Sequence, residues 1–155
     1  MEAEPDPRPA RMVEVGAKEI TEREAVSECT IRMTPDACAA LVAGTPKGDP
    51  LEAAKVAGLM AAKKTPDLLP FCHPIAITGA SVILDPDVSS GTIGVRATVK
   101  AHDRTGVEME SLTAAAVAAL SLYDTAKAYD RSAEITGLRL VSKAGGKSGT
   151  YTRNG

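Results

Sequence analysis

The stretch TGASVILDPDVSSGTIGVRATVKA, Thr78 to Ala101, decides how this chain folds. In its second half Ile93, Val95, Ala97, Val99 and Ala101 alternate with Thr92, Gly94, Arg96, Thr98 and Lys100. That two-residue period is the mark of a strand with one buried face. A second strand over about Thr78–Leu84 precedes it, and Asp85-Pro86-Asp87 reads as the turn between them. A link this short joins antiparallel neighbours.

Upstream, Cys29, Ile31 and Met33 alternate with Glu28, Thr30 and Arg32, which predicts a strand over Ala25–Met33. Thr34-Pro35 then opens a helix, with threonine as cap and proline at the first helical position, ending near Gly44. Asp49-Pro50-Leu51-Glu52 repeats the device with a carboxylate cap and a glutamate three residues on. This second helix is expected to stop near Lys64, at Thr65-Pro66, with an irregular, proline-rich stretch to Pro74. Downstream lie a long helix over Glu110–Tyr129 and a last strand over Ile135–Lys143. The order β-α-α-β-β-α-β predicts an α+β fold, an antiparallel sheet with helices packed on it. Residues 1–11 (MEAEPDPRPAR) read as a disordered acidic tail, and residues 12–155 as one domain with a flexible, basic, Gly-rich C-terminal segment. Ala114, Ala115, Ala116, Ala118 and Ala119 point all round the long helix, so it is expected to be covered on more than one side, the second cover being a partner subunit. High helix propensity alone is the plainer explanation of the same alanines.

Composition sets the remaining bounds. A chain of 155 residues, 44% hydrophobic and 25% charged, suits one ordinary globular domain. It carries no apolar run long enough for a membrane span and no signal-like N-terminus. Cys29, Cys38 and Cys72 form no CxxC pair and fit free thiols in a reducing cytoplasm. A net charge of −2 and only 3% aromatic residues argue against nucleic-acid binding. Residues 1–36 hold nine acidic and five basic groups, whereas residues 127–155 hold six basic against two acidic ones. A local basic end on an acidic protein suits a small polyanion.

Several clusters could carry chemistry. Asp124 and Lys127 are three residues apart on the long helix and can touch: an ordinary ion pair if exposed, an acid–base couple if buried. Glu108-Met109-Glu110 lies at the other end of that helix. Glu110 and Asp124 are 14 residues apart, about 40° apart in angle and roughly 21 Å along the axis. One small substrate cannot bridge them in one chain, so a shared site needs two chains. Lys47 sits in the turn before the second helix, Lys63 near its end, and Phe71-Cys72-His73 in the loop beyond. Ala144-Gly145-Gly146-Lys147-Ser148-Gly149 is no Walker loop, since Val141 stands where the first glycine belongs and only six residues follow. It is either a frayed tail or a segment that wraps Lys143 and Lys147 over a phosphate. Two histidines, His73 and His102, with one adjacent cysteine do not make a metal site.

Five stretches taken together resemble the molybdenum cofactor biosynthesis protein C family: MVEVGAKEITERE (12–24), KGDPLEAAKVAG (47–58), AAKKTPDLLPFCHP (61–74), TGVEMESLTAAAVAALSLYDTAKA (105–128) and KAGGKSG (143–149). Family sequences often have leucine where this chain has Phe71. The resemblance implies a ferredoxin-like fold, assembled as a cytoplasmic homohexamer (a trimer of dimers) with interfacial active sites. The implied reaction converts 3′,8-cyclo-7,8-dihydro-GTP to cyclic pyranopterin monophosphate with release of diphosphate, a phosphorus–oxygen lyase step on the way to molybdopterin. By motif position it makes Asp124, Lys47 and Lys127 the catalytic residues. Phe71, Cys72, His73, Met109, Glu110 and Glu108 fall on the substrate-binding stretches, and Arg23, Lys63, Lys143 and Lys147 are phosphate holders. No redox cofactor is called for, although Mg²⁺ could ride on the substrate phosphates.

Overall fold

A computed structural model describes residues 8–154. The elements run β1 (Thr21–Arg32), α1 (Pro35–Ala43), α2 (Pro50–Leu68), β2 (Ile77–Asp87), β3 (Thr92–Asp103), α3 (Glu108–Ala126), β4 (Glu134–Ala144) and β5 (Tyr151–Thr152). The strands form one sheet in the order β2-β3-β1-β4-β5, with every pairing antiparallel. This is the predicted α+β architecture, and its first four strands have the split βαβ order of a ferredoxin-like fold. Of the expected acidic tail, residues 1–7 lie outside the described residues, and residues 8–11 belong to no helix or strand.

One sheet face carries the core. Ala25, Cys29 and Ile31 of β1 and Ile93, Val95, Ala97 and Val99 of β3 are buried against α3. The opposite face is polar, with cross-strand ion pairs from Glu28 to Arg96 (3.2 Å) and Arg139 (2.9 Å), and from Glu24 to Lys100 (3.5 Å). Each pair sits at directly opposed register positions, where opposite charges stabilise a sheet.

The helix starts follow their caps. Thr34 Oγ1 accepts from the Ala37 N–H at 3.2 Å, and Asp49 Oδ1 from the Leu51 N–H at 2.9 Å. Glu52 does not close a capping box; it pairs with Lys55 at 2.6 Å instead.

Several boundaries differ from expectation. Thr65-Pro66 does not stop α2, which continues to Leu68. The Thr65 hydroxyl donates back to the Ala61 carbonyl at 3.0 Å and the Leu69 N–H bonds the Thr65 carbonyl, so the helix passes the proline with one bond missing. Asp85-Pro86-Asp87 is strand, paired with Gly94, Ile93 and Thr92. β2 is an edge strand, where proline's missing N–H costs no ladder bond. The turn falls one step later, closed by the Gly91 N–H on the Val88 carbonyl at 3.2 Å. α3 begins at Glu108 and loosens beyond Ala126. β5, unforeseen, pairs with β4 beyond the Gly-rich bend.

The long helix is covered on a second side by α2 of the same chain. Gly58 makes that approach close: a Cβ there would lie 3.0 Å from the Ala114 carbonyl oxygen and 3.2 Å from Ala118 Cβ. The alanines therefore give no evidence of oligomerisation.

Candidate active site at the two ends of the long helix

α3 carries a separate cluster at each end. At the N-terminal end, buried Ser111 fixes the first turn: its hydroxyl donates to the Glu108 carbonyl at 2.8 Å and accepts from the Ser27 hydroxyl of β1 at 2.6 Å. Glu108 Oε1 meets Lys143 Nζ at 3.1 Å. Glu110 is 3% exposed, and its Oε2 has no hydrogen-bond partner among the described residues. Burial pushes the Glu110 carboxyl up to about 7, and the neighbouring Glu108 charge pushes the same way. Cys72 lies close enough to feel both carboxylates; burial first, then Glu110 and Glu108, raise its thiol above the ordinary range. It is thus a thiol, not a nucleophilic thiolate. His73 is half-buried beside it, while Phe71 and Met109 expose apolar surface around the cluster (55% and 40%).

Arg23 belongs to this same end. Its Nε and Nη2 donate to the Asp103 and Arg104 carbonyls at 3.4 and 3.1 Å, which locks the guanidinium. Lys147 shares a cleft of about 330 Å³ with it.

The C-terminal cluster is open to solvent. Lys127 Nζ and Asp124 Oδ1 are 2.7 Å apart with side chains 59% and 76% exposed. Lys47 reaches the same place from the α1–α2 turn, which is pinned by mutual backbone bonds of Thr45 and Gly48. Lys47 and Asp124 line one small cleft of about 190 Å³. The hydrogen bond with Lys127, then its charge and that of Lys47, hold Asp124 below the usual carboxylate range. Asp124 in turn raises Lys127. In one chain this is an exposed ion pair with both partners firmly charged, the first of the two alternatives that the spacing left open.

Thus Glu108, Glu110, Cys72 and Lys143 come together, Arg23 and Lys147 come together, and Lys47, Asp124 and Lys127 come together. Lys63 is exposed on α2 and lines none of these clefts. A depression of about 730 Å³ lies on the open sheet face and holds none of these residues. The burial of Glu110 escaped sequence reading, because its position inward of the first turn depends on how α3 meets β1.

The MoaC family model matches residues 12–146. The chain belongs to the MoaC family. Similar proteins include the cyclic pyranopterin monophosphate synthases of Roseiflexus sp. (strain RS-1), 51% identical over 94% of this chain and 92% of the relative, and of Geobacter sulfurreducens, 52% identical over 93% and 91%. That of Brucella ovis is 49% identical over 92% of this chain and 87% of the relative. As a MoaC family member the chain is an enzyme of molybdenum cofactor biosynthesis. Among the described residues no helix is long and apolar enough to cross a membrane.

Proposed function

We propose that this MoaC family enzyme converts 3′,8-cyclo-7,8-dihydro-GTP to cyclic pyranopterin monophosphate and diphosphate in the cytoplasm. Each site forms where the N-terminal α3 cluster of one chain meets the C-terminal α3 cluster of another, within a hexamer built as a trimer of dimers. The supporting observation is that the clusters are complementary and separately incomplete. One offers Glu110, a buried carboxyl that exchanges protons near neutral pH and whose Oε2 has no hydrogen-bond partner among the described residues. The other offers Lys47 and Lys127 around Asp124, all exposed to solvent.

The reaction opens the purine five-membered ring, closes the pyranopterin and cyclises the phosphate as diphosphate leaves. It needs proton transfers and cations over a polyphosphate, and no redox step. Covering the C-terminal cluster by another chain would desolvate Lys47 and Lys127, lowering their pKa and making one of them a proton donor or acceptor near neutral pH. Asp124 then keeps its lysine partner in place, and Glu110 handles the complementary proton.

The test is incubation of the purified protein with the cyclic dihydro-GTP intermediate, followed by mass analysis. One diphosphate per cyclic pyranopterin monophosphate is expected without added redox cofactor. An unchanged intermediate would overturn the proposal. Light scattering should give a particle near six times the 16.0 kDa chain mass, and a monomer would remove the shared site.

A further inference from the structure

β3 ends at Asp103, whose register partner is Thr21 at the start of β1. The Asp103 side chain is half-buried, and both of its carboxylate oxygens are engaged. Oδ2 accepts from the Ala76 N–H at 3.0 Å, and Oδ1 accepts from the Arg104 N–H at 2.7 Å. These two bonds, with the Arg104 and Arg23 charges behind them, hold the carboxyl below the usual carboxylate range. An ionised acceptor bonds a backbone N–H more strongly than a neutral one does.

The Ala76 bond crosses from β3 to the segment that carries Cys72 and His73. Residues 72–76 of that segment, between α2 and β2, belong to no helix or strand. The Cys72 N–H fastens its start on the Leu69 carbonyl at 3.1 Å, and Pro74 in its middle has no N–H to offer. Asp103 holds the far end, just beyond His73 and Pro74. The same residue serves Arg23 from its main chain, because the Asp103 and Arg104 carbonyls accept from the guanidinium at 3.4 and 3.1 Å. The Arg104 N–H lies in the same peptide plane as the Asp103 carbonyl. The Oδ1 bond to that N–H therefore orients one of the two carbonyls on which Arg23 rests. One carboxylate thus reaches the segment of Cys72 and His73 on one side and the seat of Arg23 on the other.

We propose that Asp103 is a positioning residue of the N-terminal α3 cluster: its carboxylate sets the Cys72–His73 segment relative to the Arg23 guanidinium and touches no substrate itself. The consequence for turnover rests on the reaction proposed above; the fastening does not.

Cys72 gives a readout that needs no substrate. It is half-buried, whereas Cys29 and Cys38 are buried, so a thiol reagent mapped by mass spectrometry reports the segment and the core separately. In the full chain, Asp103→Ala should raise the labelling rate of Cys72 about ten-fold while Cys29 and Cys38 stay protected. It should also raise KM for cyclic dihydro-GTP about ten-fold, with kcat within about three-fold of wild type. Asp103→Asn keeps an acceptor oxygen for one of the two N–H groups and should bring both readouts to within about three-fold of wild type. Combined with His73→Ala, Asp103→Ala should raise KM by less than the product of the two single effects, because the placing of an absent imidazole no longer matters. Asp87→Ala is the control: its carboxylate bonds Ser89 and Ser90 at the opposite end of the sheet, and its loss should change neither readout. Unchanged Cys72 labelling in Asp103→Ala overturns the proposal, and so does labelling of all three cysteines together or an equal change in the Asp87 variant. Faster Cys72 labelling with unchanged KM overturns it too, since the segment would then move without consequence for the site. Selective labelling in a protein whose wild type never turns over cyclic dihydro-GTP upholds the fastening and overturns the proposed reaction instead.

Discussion

Ser27 Oγ and Ser111 Oγ lie 2.6 Å apart, fully buried, and fasten the first turn of α3 to the central strand. Ser111 also bonds the Glu108 carbonyl, so the two residues are not equivalent. Ser111→Ala leaves the Ser27 hydroxyl buried and unbonded and should cost about 1–3 kcal/mol, whereas Ser27→Ala leaves Ser111 a partner and should cost less. Urea denaturation checks the order, and the double variant should lose less than the sum of the two.

Glu110 makes stability depend on pH. Its carboxyl is held up at about 7 in the folded chain, against an ordinary value of 4.5. Between those values the folded state binds the extra proton, so stability should fall as pH rises from about 4.5 to about 7 and level off above it. The total is at most about 3.4 kcal/mol. Glu110→Gln should flatten this slope, which melting curves across the window would register. A slope identical in the wild type and the variant would mean that Glu110 is not the group responsible.

Lys47→Ala and Asp124→Asn alter exposed groups. Their melting temperatures should match wild type, while turnover of cyclic dihydro-GTP falls by about two to four decades. Full turnover in either variant would contradict the role given to that residue.

Because the clusters sit at opposite ends of one helix, Glu110→Gln and Asp124→Asn chains should complement each other. Each variant is expected to be nearly inactive alone. Co-refolded in equal amounts, they should regain about a quarter of wild-type activity through sites that receive both intact halves by random assortment. No recovery in correctly sized particles would place each site within one chain.

Gly58→Ala tests the closeness of α2 and α3. Alanine favours helix, but its Cβ would meet Val82 Cγ2 at 2.8 Å and the Ala114 carbonyl at 3.0 Å. Overpacking should win, with a net loss of about 1–3 kcal/mol in chemical denaturation.

Much of this arrangement was legible in the chain itself. The alternation around Val95 and Val99 marked the sheet, and Thr34 and Asp49 marked two helix starts, because these signals depend on near neighbours. Pro66 and Pro86 misled for the opposite reason: whether a proline ends an element depends on a back-bonding threonine or on an edge position, and both are set by tertiary structure. The charge pattern disclosed Lys47, Asp124 and Lys127 as candidates but not their exposure. It offered no hint that Glu110 is shut away from water, nor that the Asp103 carboxylate fastens the segment of Cys72 and His73. The family motifs brought the residues together on paper, and the distances divide them into clusters.

A single rod-like helix with working groups at both tips also bears on inheritance. Under the shared-site arrangement each polypeptide serves two reaction centres, so one damaged copy would disable two of them. In a cell making sound and doubly defective chains together, output should then follow the square of the sound fraction, a dominant pattern where a one-chain site would show simple dilution.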